Sequence, residues 1–214
     1  MTKNALIKIS GSMLMLGGLL YMLIQLVHPA DELASVTTSL YIAVAVMTSI
    51  MSILIFFGIL GLYVNHSESM GVLGFVGFVI FDLFWLISMM FSFIEASVLP
   101  LLTQSATEFV VGMTGLFSSV AVSVDMGVFP MLAVFSGMMY VFGGLLFGIS
   151  LYRSRVFSKK LALMLSVSAV LTLTTAIIPH PWDRTLAIPM GTSLLLIGYF
   201  VTAGKRNILR SEQR

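Results

Sequence analysis

Apolar residues run along this chain in six long blocks, approximately 5–27, 38–64, 71–97, 129–152, 161–179 and 185–204, with short polar stretches between them. Each block is 19 to 27 residues long. At about 1.5 Å of rise per residue, helices of that length cross a hydrocarbon core of about 30 Å, the longer ones with some tilt. The pattern predicts an all-α integral membrane protein: one transmembrane domain over 1–214, built as a six-transmembrane-helix bundle. FFGILGLYVNHSES, FGGLLFGISLYRSR and LLIGYFVTAGKR close the second, fourth and sixth blocks in a similar way, which suggests three antiparallel hairpins of one plan.

Within the blocks, small and polar residues gather on stripes. At 100° per residue, Gly71, Gly74, Gly77, Trp85, Ser88, Ser92 and Glu95 share one broad face of the third block, with Asp82 at its edge. A helix facing lipid gains nothing from such sorting, whereas one facing other helices gains close approach at glycine and partners for its hydroxyls. The third helix is therefore expected in the middle of the bundle. Tyr21, Gln25 and His28 stack at i, i+4 and i+7 toward the far end of the first block. Thr38, Tyr41, Thr48 and Ser52 mark the second block, Ser136, Tyr140 and several glycines the fourth, and Ser168, Thr172 and Thr175 the fifth; these stripes read as helix packing. The VNHSESM stretch between blocks two and three reads as a short turn with His66 in solvent, and Pro189 is expected to bend the sixth helix.

Residues 101–128 break the pattern. The segment is apolar enough to resemble a seventh crossing, but a seventh crossing would put the basic turn around Arg153 to Lys160 on the outer side. It is expected instead as an outer interfacial or re-entrant segment with Glu108 and Asp125 near its ends.

Charge adds orientation. Lys3, Lys8, Arg153, Arg155, Lys159, Lys160, Lys205, Arg206, Arg210 and Arg214 fall on one side of a six-helix plan, and of the 11 cations only Arg184 falls on the other. The positive-inside rule makes the basic side cytoplasmic, so both termini are expected there, in a plasma (inner) membrane. Asp31, Glu32, Glu95, Glu108, Asp125 and Asp183 give the opposite side an acidic rim. A basic rim beside anionic lipid is what insertion itself selects, so no nucleic-acid partner is implied; the lipid bilayer is the expected partner.

Composition limits the chemistry. With 58% hydrophobic and 9% charged residues, the chain lacks the polar surface of a soluble globule. Having no cysteine, it has no disulfide, thiol nucleophile or cysteine metal site. H-E-x-x-H, G-x-S-x-G and phosphate-loop motifs are absent as well.

Two groups of residues remain as candidates. Asp82 lies 11 residues past Gly71, about 17 Å along a helix and so near the bilayer midplane. A carboxylate there costs at least about 2.5 to 3.5 kcal/mol, so it is expected to face protein or water and to be protonated or hydrogen-bonded. With Trp85, Ser88, Ser92, Tyr21 and Gln25 it defines a polar interior suited to a small lipophilic or cationic ligand, as in a small transporter or ligand-binding protein. The second group is His28, Glu95 and His180, which the alternating directions of the helices bring to one depth at the outer end. Two imidazoles and a carboxylate could hold a divalent metal, the basis of an alternative reading as a membrane-embedded enzyme or metal protein.

Overall fold

The computed structural model describes residues 2–116, 124–178 and 182–204, and every regular element among them is helical. The elements are α1 (Lys3–Val27), α2 (Leu33–Val36), α3 (Ser39–Ser97), α4 (Leu99–Leu102), α5 (Thr107–Gly115), α6 (Phe129–Ser154), α7 (Lys159–Leu171), a 3₁₀ segment Thr172–Ala176, a second 3₁₀ segment Trp182–Leu186, and α8 (Ala187–Thr202). Four helices are long and apolar enough to cross a membrane: α1, α3, α6 and the continuous run Trp182–Thr202. Large apolar side chains such as Leu23, Ile50, Phe75, Met90, Phe142 and Ile188 are exposed along their outer faces, as contact with lipid requires and contact with water does not tolerate.

α3 is two helices in one run. Gly71 has φ 59 and ψ −160, a backbone region that only glycine occupies readily, and the chain doubles back there. Tyr63 consequently stacks on Phe78 with ring centroids 4.5 Å apart, and the Ser52 hydroxyl donates to Ser88 Oγ at 3.2 Å. In a straight helix these pairs would lie more than about 20 Å apart. The stretch expected as a turn, VNHSESM, is instead helical. His66, expected in solvent, is half-buried and meets the ring of Phe157 edge-on, centroids 6.0 Å apart.

Consecutive helices are neighbours, and α8 packs on α1, so the order α1, first arm of α3, second arm of α3, α6, α7, α8 closes on itself. Small residues set the spacing. A Cβ on Gly18 would lie 2.6 Å from the Leu195 backbone nitrogen of α8, and one on Gly143 2.5 Å from that of Phe81. In the G-x-x-x-G of α6, Gly144 faces Ala169 and Gly148 faces Ser166 of α7. Phe81, Trp85, Phe147, Leu165, Met190 and Ile197 fill the core between them.

One end of the bundle carries Lys3, Lys8 and the α6–α7 turn with Arg153, Arg155, Lys159 and Lys160; Thr202 of α8 reaches the Lys8 carbonyl there. The other end has its own apolar core, in which Val36 of α2, Leu99 of α4, and Val110 and Met113 of α5 pack on Tyr41, Phe91 and Ala133 at the tips of the long helices. With 9 residues, α5 is about 13 Å long and is part of this cap, not a crossing.

Two expectations for the later helices change. The fifth block stays α-helical only to Leu171 and then tightens into the 3₁₀ turn Thr172–Ala176, in which Thr172, Thr174 and Thr175 each donate to the carbonyl three residues back, at 2.6, 2.7 and 2.8 Å. Pro189 does not bend a helix interior. It falls in the first turn of α8, directly after the second 3₁₀ segment, where the run changes from the tighter to the wider helix.

Candidate functional site

Between the two apolar cores lies a cavity of ≈ 550 Å³. Along the second arm of α3 its wall runs from Phe84 through Ser88 and Ser92 to Glu95, about 16 Å of helix. α1 supplies Tyr21, Gln25 and His28, because their i, i+4, i+7 spacing keeps them on one face. The 3₁₀ segment supplies Thr172 and Thr175, which the three-residue period holds in line. α6 contributes Ser136, Gly137 and Tyr140. A Cβ added at Gly137 would meet nothing within 4 Å, so this glycine is an opening and not a helix contact.

The floor is aromatic. The Tyr21 and Tyr140 hydroxyls meet at 3.3 Å, joining α1 to α6. Trp85 stands edge-on to Tyr21 with centroids 5.5 Å apart, and Phe84 edge-on to Tyr140 at 4.8 Å. The rim is charged. Arg184 donates to the Pro29 carbonyl at 3.2 Å and pairs with Asp31 at 3.5 Å, tying the start of the last helix to the end of the first. His28 ends α1 with Nδ1–H donating to the same Pro29 carbonyl at 2.8 Å.

The lining is a surface of acceptors. The hydroxyls of Thr48, Thr114, Ser136, Thr172 and Thr175 all donate to carbonyls of their own helices, leaving oxygen lone pairs toward the space. Ser88 differs: it accepts from Ser52 and so keeps its own O–H to donate. Glu95 makes no hydrogen bond or ion pair with any described residue, while Arg184 spends one terminal nitrogen on Asp31 and Pro29 and leaves the other without a partner among the described residues. A guest that carries N–H donors and positive charge matches such a lining; an anion does not.

Of the sequence-predicted residues, Tyr21, Gln25, His28, Ser88, Ser92 and Glu95 share this one cavity. Asp82 and Trp85 are not exposed in it. They are 4% and 1% exposed, inward of Ser88 on the same arm, and among the described residues neither carboxyl oxygen of Asp82 nor the Trp85 indole N–H has a hydrogen-bond partner. The expected polar interior is thus two regions, an outer cavity and a buried acid below its aromatic floor. His180 lies outside the described residues, and among those described no three His, Asp or Glu side chains are placed to hold a metal.

Sequence reasoning missed Asp31, Asp183 and Arg184 as wall residues, although Arg184 was conspicuous as the lone outer cation. It also read Gly137, Thr172 and Thr175 as packing. No family model, curated protein or solved structure matches the chain.

Proposed function

We propose that this protein is a six-crossing bundle of the plasma membrane, basic end cytoplasmic, whose outward cavity binds a small amphipathic organic cation, either to carry it or to sense it. The acceptor lining around an uncommitted Glu95 carries the reading. The ammonium of the guest bonds Glu95 and the seryl and threonyl oxygens, and its apolar part lies on Phe84, Phe91 and Tyr140, whose ring faces also attract cations. Six crossings follow from treating the arms of α3 separately and from adding the 3₁₀ segment to α7: 13 and 5 residues rise about 20 and 10 Å, together the thickness of a hydrocarbon core. The orientation rests on the basic rim.

The test is calorimetric titration of the purified protein in lipid nanodiscs with arylalkylamines and their neutral alcohol isosteres. Amines bind and the alcohols do not. Glu95→Gln weakens amine binding by at least about tenfold, the scale of one lost charge-assisted bond. Gly137→Leu fills the opening and abolishes binding while leaving the helix contacts intact. Equal affinity for amine and alcohol, or an unaffected Gly137→Leu variant, contradicts the proposal.

A further inference from the structure

A second recess lies at the opposite end of the molecule, on its lipid-facing side. Where α1 and the first arm of α3 separate toward the basic end, they leave a groove of ≈ 520 Å³. Its origin is a size mismatch. Ser10 presses into Gly61, which has no room for a Cβ, while Leu6, Met13, Phe57, Leu60 and Val64 stand up on either side as walls. Leu6, Phe57 and Val64 are exposed by 51%, 47% and 65%, so the groove opens outward to the hydrocarbon and not inward to the core. From Lys3 to Met13 it follows about 15 Å of α1, half the hydrocarbon thickness and therefore one leaflet.

Its chemistry is the reverse of the outer cavity's. The polar groups at its mouth are the Lys3 ammonium and the Asn65 amide, whose nitrogen lies 3.1 Å from His66 Nε2 and has a second N–H to donate, and among the described residues no carboxylate lines it. The first turn of α1 contains no acid, so nothing in it opposes a negative charge beside Lys3. Lys3 makes no hydrogen bond or ion pair with any described residue. We propose that this groove is a binding site for one anionic glycerophospholipid of the basic-side leaflet, with an acyl chain between Leu6, Met13, Phe57 and Leu60 and the phosphodiester at Lys3 and Asn65. A zwitterionic lipid gains less, because its ammonium group finds no acid there. The inference does not depend on what the outer cavity binds.

The test uses nanodiscs of equimolar phosphatidylglycerol and phosphatidylcholine, with native mass spectrometry of the lipid that stays on the released protein. The wild-type chain retains one phosphatidylglycerol in preference to phosphatidylcholine. Lys3→Gln lowers that preference about fivefold, the effect of one lysine at a membrane surface. Val64→Trp, at an exposed wall position that does not threaten folding, fills the groove and removes the retained lipid. Millimolar inorganic phosphate leaves the lipid in place. Equal retention of both lipids, an unchanged preference in Lys3→Gln, or displacement by phosphate overturns the assignment, the last by making this a site for the free anion.

Discussion

Asp82 and Glu95 lie on one arm of α3 and in opposite circumstances. Glu95 stands in the cavity wall, open to whatever enters the space. Asp82 is 4% exposed with both oxygens unpartnered, and an unmade hydrogen bond at a buried polar group costs about 1 to 3 kcal/mol. Replacing it with an apolar residue of similar size removes that cost, so Asp82→Val is expected to raise the thermal midpoint of the purified protein. Because Asp82 does not line the cavity, the same variant keeps its affinity for the amine. A lowered midpoint in a thermal-shift assay would show that Asp82 has a stabilising partner, such as a bound cation, in the working protein.

At the scale of elements, α3 shows what hydropathy reads well and what it misses. The apolar blocks on either side of VNHSESM were legible, since 20 or more apolar residues have few other uses. The place of reversal was not. Hydropathy marks where a helix leaves lipid, whereas a helix ends where its backbone does, and nothing before Gly71 interrupts this one. A similar gap separates the fifth block from α7: its length was legible, but the change to a three-residue period at Thr172 leaves the apolar count untouched, so hydropathy does not mark it. The hairpin has a direct test, because the chain has no cysteine of its own. The Ser52→Cys, Ser88→Cys double variant is expected to form an intramolecular disulfide under mild oxidation, the two oxygens being 3.2 Å apart. Failure to cross-link, with both thiols still reactive toward maleimide after unfolding, would contradict the antiparallel register.

For the whole molecule, the organising feature is an outer cavity held open between two apolar cores over an aromatic floor. Much of its wall was legible because helices of alternating direction bring His28 and Glu95 to one depth, with Gln25 and Tyr21 beneath His28 on the same face of α1. The rest was hidden for physical reasons. In a glycine-rich helix, Gly137 cannot be told from the glycines that pack, and Arg184 gains its role only through the Pro29 carbonyl and Asp31, 155 and 153 positions earlier in the chain. A cation proposed to sit in this space against Glu95 would be seen in a structure of the protein bound to a brominated arylalkylamine. Anomalous bromine density is expected beside Phe84 and Tyr140, with the amine nitrogen about 3 Å from a Glu95 carboxyl oxygen; bromine found only on the lipid-facing surface, with the cavity holding water, would contradict the proposed site.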